Sequence, residues 1–235
     1  MTTSRIRRPA GEQPVTVTGD GVTLNGILGI PPAAVGVVLF AHGSGSGRLS
    51  PRNQFVAHRL QAGGVATLLI DLLTVEEAED RRNVFDIDLL ADRVLTAGAW
   101  LAGHTSTKHL PLGYFGASTG AGAALQAAAR GPVAVKAVVS RGGRPDLAER
   151  YLPDVTAPTL LLVGGYDEPV IEMNQAAFRL LRCPKELTII PGATHLFEEP
   201  GTLEQVADRA LAWFLRHLAP HTEQAQASRR KENHR

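Results

Sequence analysis

The chain has 235 residues, 44% of them hydrophobic, and its 24 basic and 23 acidic side chains leave a net charge of +1. That length can bury the core of one domain, and the balanced charge gives no reason to expect a nucleic-acid or membrane-surface partner. A single cysteine, Cys183, excludes an internal disulfide, and the N-terminal residues lack the apolar run of a signal peptide, so we expect a cytoplasmic protein.

The first predicted elements in chain order form a hairpin. Apolar residues alternate with threonine over residues 15–17, Gly19-Asp20-Gly21 is a turn signal, and residues 22–30 provide the return strand. Short apolar runs typical of strands buried on both faces follow at residues 35–40, 65–70, 110–115, 135–139, 159–163 and 186–190. Segments with helical spacing lie at residues 52–61, 84–101, 121–129, 171–181 and 203–218.

Strands that alternate with helices predict an α/β domain. We expect it to span residues 14–219 and to contain a mostly parallel, eight-stranded sheet with helices on both faces, with the leading hairpin as an antiparallel edge. Residues 1–13 are predicted to be a flexible N-terminus. Residues 220–235 are polar and then charged, which predicts a disordered tail.

A candidate nucleophile lies between one of these strands and the helix that follows it. Ser118 stands in Gly116-Ala117-Ser118-Thr119-Gly120, the G-x-S-x-G pattern in a strand–turn–helix context. So sharp a turn strains the serine backbone, and the flanking glycines leave the space that the turn needs. The first amides of the following helix point at the reaction centre. We therefore predict that Ser118 is a nucleophile.

A serine hydroxyl is a weak nucleophile, so it needs a base that is in turn oriented by an acid. Asp167 and His195 each follow a later strand, and they come in the order Ser, Asp, His that accompanies this kind of nucleophile turn. Because the carboxyl ends of parallel strands share one edge of a sheet, both should lie near Ser118. Glu168, beside Asp167, and Asp154, after the preceding strand, remain alternatives for the acid.

A glycine-rich loop follows the strand at residues 35–40. Its sequence, His42-Gly43-Ser44-Gly45-Ser46-Gly47, lacks the remaining features of a dinucleotide or P-loop motif. We therefore predict an oxyanion hole, in which the amides of Ser44 and Thr119 donate to the carbonyl oxygen that becomes negative during acyl transfer. We expect His42 to hydrogen-bond this loop rather than to act as the base.

The segments at residues 37–47, 115–120, 163–170 and 192–197 together resemble the α/β-hydrolase superfamily. The resemblance extends over about residues 14–219. Within that superfamily, the small size of the chain and its lack of room for a large cap resemble dienelactone hydrolase-like proteins. Three segments resemble a subgroup in which some members are fused to phosphoribosyltransferase-like domains. These segments are His42-Gly43-Ser44-Gly45-Ser46, Asp71-Leu72-Leu73-Thr74 and Ser140-Arg141-Gly142-Gly143-Arg144-Pro145.

The resemblance implies an α/β-hydrolase fold with no large cap domain, a Ser118–His195–Asp167 triad, no cofactor and a small-molecule ester substrate in an open site. It also implies a possible phosphoribosyltransferase-like partner. Dienelactone hydrolases proper carry cysteine as the nucleophile, whereas this chain has Ser118, and Cys183 does not lie in such a turn. We therefore expect a carboxylic-ester hydrolase rather than an enzyme that acts on dienelactone.

Two arginines, Arg141 and Arg144, follow the strand at residues 135–139 and should lie at the same sheet edge as Ser118. Either could clamp a substrate carboxylate, and either could instead form an ordinary surface salt bridge. The sequence contains no cluster of His, Cys and carboxylate residues with the spacing of a metal site.

Three other functions stay open. An acyltransferase would use the same triad with another acceptor in place of water. A non-catalytic binding module could be built on the same fold. A regulatory or structural role beside a phosphoribosyltransferase-like protein is the third.

Overall fold

A computed structural model of the protein describes residues 11–219. The first strand, β1 (Glu12–Gly19), turns at Asp20 and Gly21 into β2 (Val22–Gly29), with which it pairs in antiparallel register. The Glu12 carboxylate receives hydrogen bonds from Gln61 and His58, so β1 is tied to α1 from its first residue. The predicted tail and most of the predicted flexible N-terminus lie outside the described residues.

The remaining strands are β3 (Val37–Ala41), β4 (Ala66–Ile70), β5 (Leu112–Ala117), β6 (Val135–Arg141), β7 (Thr159–Gly164) and β8 (Lys185–Ile190). The strand order is β1-β2-β4-β3-β5-β6-β7-β8. Strand β2 is antiparallel to both of its neighbours, and every pair from β4 to β8 is parallel. The predicted eight-stranded, mostly parallel sheet is therefore confirmed.

The helices are α1 (Pro51–Ala62), α2 (Val75–Glu79), α3 (Arg81–Phe85), α4 (Ile87–Gly103), α5 (Thr119–Arg130), α6 (Glu168–Leu180) and α7 (Thr202–Leu218), with a 3₁₀ segment at Pro145–Asp154. Helices α1 and α7 pack on one face of the sheet through Val56, Leu60, Ala210 and Phe214. Helices α4, α5 and α6 and the 3₁₀ segment cover the other face. The layers confirm the predicted α/β class, and between residues 11 and 219 no large cap interrupts them.

Two parts of the chain differ from the predicted elements. The segment before α4 forms two five-residue helices, α2 and α3, and the connection from β6 to β7 contains the 3₁₀ segment. Helices this short lack a full apolar period and depend on their caps. Thr74 and Glu77 form a capping box for α2, and Asp80 caps α3.

None of the helices within residues 11–219 combines the length and the apolar character that a membrane span requires.

Candidate active site

Ser118 is the only residue between β5 and α5, and it occupies a strained turn. Its φ of 51° and ψ of −124° belong to a backbone region that glycine tolerates far better than serine. A Cβ at Gly120 would overlap the carbonyl oxygens of Ala41 and His42, which explains why the turn needs glycine there. The Ser118 side chain does not cap α5, so the hydroxyl is left at the end of the sheet.

Asp167 and His195 lie together at the same sheet edge. Asp167 is the N-terminal cap residue of α6, yet its carboxylate makes no capping bond and accepts instead from Nδ1 of His195 at 2.6 Å. This bond fixes the tautomer that leaves Nε2 free to accept a proton. The two loops are also joined through their backbones, because the amide of Tyr166 donates to the carbonyl of Ala193.

The two alternative acids are elsewhere. Glu168 is exposed in the first turn of α6, and among the described residues the carboxylate that pairs with His195 is that of Asp167. Asp154 lines a groove with Val135 and Pro158, at the amino-terminal ends of β6 and β7 and therefore at the opposite edge of the sheet. Among the candidate acids, the geometry favours Asp167.

The end of β6 separates Ser118 from His195. The Ser118 amide donates to the carbonyl of Arg141, and a Cβ at Gly142 would lie 3.2 Å from the carbonyl oxygen of His195. Within residues 11–219 the Ser118 hydroxyl forms no hydrogen bond to His195. Bonds of this kind are often long in the absence of substrate. The structure thus pairs Asp167 with His195 and places the end of β6 between the His195 loop and the turn of Ser118.

The predicted oxyanion loop approaches Ser118 closely. A Cβ at Gly43 would lie 2.9 Å from the Cβ of Ser118. The Ser44 amide donates to Oγ1 of Thr119 at 3.0 Å, so it already has an acceptor in this structure. The Thr119 amide is the first of α5 and has no intrahelical acceptor. The hydroxyl of Thr119 therefore links the two residues whose amides are the predicted donors.

His42 ties this loop to its neighbour. Its Nε2 accepts from the Leu72 amide at 2.9 Å, so its Nδ1 carries the proton and donates to the Gly43 carbonyl at 2.9 Å. Desolvation lowers the pKa of His42 below its ordinary value of 6.5, against smaller opposing effects of the Gly43 bond and Asp71. Both ring nitrogens are occupied, which agrees with the predicted structural role and excludes His42 as the base.

A cavity of about 390 Å³ opens beside the oxyanion loop. Its mainly apolar walls come from the loop at residues 42–46 and from α2, α3 and α4, through Ala78, Val84 and Leu90. Sequence reasoning did not find this pocket because α2 and α3 were not predicted. The capping pattern Thr74-Val75-Glu76-Glu77 was the available signal.

The two candidate arginines have different environments. Arg144 forms a two-pronged ion pair with Asp146, at 2.7 and 2.9 Å, which is the salt-bridge alternative stated for it. Arg141 is 8% exposed, and its Nη1 has no hydrogen-bond partner. Burial and the nearby positive charge of Arg52 lower the pKa of Arg141 to about 10, so it remains a cation at neutral pH. Arg52 was not a candidate in the sequence.

The single cysteine lies away from Ser118. Cys183 is buried, with Sγ 3.7 Å from Thr159 Oγ1 at the start of β7, the far edge of the sheet from Ser118. The part of the chain described here, residues 11–219, contains no group of three or more His, Cys, Asp or Glu side chains that could hold a metal ion.

Two kinds of known protein are similar to this chain. The model of the dienelactone hydrolase family matches residues 24–220. A solved structure of dienelactone hydrolase from Anabaena variabilis is 59% identical, with a TM-score of 0.86 over 88% of this chain and 98% of that one. Est1E from Butyrivibrio proteoclasticus is 19% identical, with a TM-score of 0.73 over 86% of this chain and 98% of that one, and shows the same fold.

Two Mycobacterium tuberculosis proteins, from different strains, are 57% identical over 210 residues, which is 89% of this chain. Their names assign them provisionally as phosphoribosyl transferases. This chain covers 47% of each, so it spans about half the length of the curated relatives it matches.

Proposed function

The chain belongs to the dienelactone hydrolase family, and from that premise we propose that it is a serine hydrolase that cleaves carboxylic esters. The observation that carries the proposal is the 2.6 Å bond between Asp167 and His195, whose loop approaches the end of β6 where Arg141 accepts from the amide of Ser118. This arrangement leaves a basic Nε2 on the side of the imidazole that faces away from the acid.

The proposed reaction is acyl transfer in two halves. His195 Nε2 takes the proton of Ser118 as Oγ attacks the ester carbonyl, and Asp167 stabilises the resulting imidazolium. The alcohol leaves with that proton when the carbon–oxygen bond breaks, and an acyl-serine remains. Water, deprotonated by His195, then attacks the acyl group, and collapse of the second intermediate returns the proton to Ser118 and releases the acid.

The amides of Ser44 and Thr119 are the proposed oxyanion donors. In the free protein the Ser44 amide is bonded to Thr119 Oγ1, so we propose that it exchanges this acceptor for the substrate oxygen. The exchange keeps the amide satisfied before substrate arrives, because an unpaired buried N–H is costly. Donors of this type typically contribute a factor of about 10² to 10³ in kcat each.

The cavity beside the oxyanion loop is the proposed site for the acyl group of the ester. Its lining by Gly43 and Ser44 supports this assignment, because the acyl carbonyl must lie against the same loop. Its apolar walls suit an alkyl or aromatic acyl chain, and its volume lies at the low end of small-molecule sites.

A fluorophosphonate probe, which phosphonylates an activated serine with loss of fluoride, tests the proposal directly. We expect it to label wild type and not Ser118→Ala, and we expect Ser118→Ala to lose activity on a panel of aryl esters and thioesters. Folded wild-type protein that is neither labelled nor active on the panel would contradict the hydrolase assignment.

We also propose that this hydrolase works beside a phosphoribosyltransferase-like domain or protein. Support comes from the names and greater length of the two mycobacterial relatives. Co-purification of the tagged protein from its own cells tests this proposal, and recovery without any such protein would count against it.

A further inference from the structure

Arg141 is a cation without a counterion among the described residues, and it lies beside the proposed catalytic residues. It is the last residue of β6, its backbone carbonyl accepts from Ser118, and the next residue packs against His195. The residue is 8% exposed, and within residues 11–219 its side chain forms no ion pair or hydrogen bond, with Nη1 enclosed and unpartnered. The charge that acts on it most is that of Arg52, which has the same sign.

Arg52 is a second positive charge near Arg141. Arg52 stands in the first turn of α1, where the helix dipole is positive and where acidic side chains are normally favoured. The first turn of α1 contains no acidic residue. Arg52 Nη1 reaches Glu198 at 3.0 Å, but its Nε is buried without a partner.

The nearby negative charge does not neutralise both arginines, and it lies close to the protein surface. Glu198 is the only carboxylate among the described residues that is paired with either arginine, and its side chain is 63% exposed. A buried cation without a counterion is costly, whereas the same cation next to a bound anion is stabilised. The unpartnered Nη1 of Arg141 and Nε of Arg52 are the donors that such an anion would use.

From this geometry we infer that Arg141 and Arg52 form an oxyanion subsite, so that the preferred ester carries a carboxylate or phosphate group in addition to the bond that is cleaved. The inference rests on the proposed function for the identity of the ligand as a substrate. The guanidinium fork matches the two oxygens of either group. Arg144, which Asp146 already neutralises, is not part of the subsite.

Binding without turnover tests the subsite independently of catalysis. The probes are benzoate, phenyl phosphate and the neutral isostere benzamide, titrated calorimetrically into full-length Ser118→Ala protein. We expect at least one anion to bind at least tenfold more tightly than benzamide, and we expect this preference to disappear when Arg141→Met is added. In the matched control, Ser118→Ala with Arg144→Met, the preference should remain.

The result distinguishes the two oxyanions, since benzoate and phenyl phosphate differ in the group that Arg141 would bind. Equal affinity for the anions and benzamide, or a preference that survives Arg141→Met, would overturn the subsite. Either result leaves the hydrolase assignment standing, because Ser118 labelling is measured separately.

A second test compares kcat/KM for anionic esters with kcat/KM for a neutral ester. The substrates are 4-acetoxybenzoate, 4-acetoxyphenyl phosphate and the neutral 4-acetoxybenzamide, which share one acetyl ester. We expect kcat/KM of the better anionic ester to exceed that of the amide at least tenfold in wild type, and the ratio to fall towards one in Arg141→Met. A wild-type ratio near one, with Ser118 labelled normally, would contradict the inference.

Thermal unfolding separates a binding role from a structural one. Methionine fills a similar volume without charge, so Arg141→Met should unfold at the same temperature as wild type or higher. A lower unfolding temperature together with an unchanged substrate ratio would assign Arg141 to the fold instead. If Arg141→Met does not fold, Arg52→Met provides the same test, with the ratio expected to fall at least threefold and an unchanged ratio counting against the subsite.

Discussion

The backbone of Ser118 has a conformation that its own side chain opposes. With φ at 51° and ψ at −124°, the Cβ crowds the adjacent peptide groups, and strain of this kind costs about 1–3 kcal/mol. In return, the turn places the hydroxyl at the end of the sheet, where it forms no capping bond with α5. Stability is therefore given up at the residue on which the proposed chemistry depends.

Ser118→Gly should accordingly stabilise the protein by about 1 kcal/mol, since it removes the strain but adds glycine's entropy cost of about 0.5–1 kcal/mol. Ser118→Ala is the matched control, because it removes the same hydroxyl and keeps the Cβ. Urea unfolding of the three proteins measures the difference. Equal free energies of unfolding for the glycine and alanine variants would show that the strain is negligible.

The Ser44 amide can be removed only by proline. We expect Ser44→Pro to lower kcat about 10² to 10³-fold on a good ester substrate, because one of the two proposed oxyanion donors is lost. Ser44→Ala keeps the N–H and loses only the side chain, so its kcat should stay much nearer that of wild type. Similar kcat values for the two variants, with both folded by circular dichroism, would exclude the Ser44 amide as a donor.

At the scale of elements, α2 and α3 form a small flap rather than a cap. Neither helix buries a residue, and the flap is held by polar contacts. Glu77 caps α2 and pairs with Arg93 of α4, while Asn83 donates to the Glu77 carbonyl. The flap nevertheless provides one wall of the cavity, so it is expected to set the size of the acyl group.

Ala78→Phe should narrow that cavity. We expect kcat/KM for p-nitrophenyl hexanoate to fall about tenfold while the value for the acetate changes by less than about threefold, because only the longer chain reaches the flap. Glu79→Phe adds the same bulk to the flap at a residue that does not line the cavity. A parallel loss on both esters, or an equal effect of Glu79→Phe, would contradict the acyl assignment.

At the scale of the whole molecule, the sequence predicted the sheet because each buried strand is a continuous apolar run. The sequence also predicted that Ser118, Asp167 and His195 lie at one edge of the sheet, because the carboxyl ends of parallel strands share that edge. The partnership of Arg52 with Arg141 was not predictable. It depends on how near the first turn of α1 lies to the end of β6, which no local pattern encodes for residues 89 positions apart.

Acid stability of the whole domain should depend on His42. Its pKa is lowered in the folded state, so the unfolded chain binds the extra proton more readily and the free energy of unfolding falls as the pH drops below 6.5. Above that pH the effect is absent. Urea unfolding at pH 7.5 and at pH 5 should show a smaller loss of stability in His42→Gln than in wild type. Identical losses would show that another group controls the acid limit.

The order of the strands along the chain has a consequence for biosynthesis. A ribosome releases the β5 turn with its serine long before it releases β8 and the histidine loop, and α7 must then cover the second face of the sheet. A nascent or truncated chain thus presents the serine without its proposed base. Hydrolytic competence would be a late event in synthesis, and a protein cut short before residue 195 would be inert rather than a promiscuous esterase.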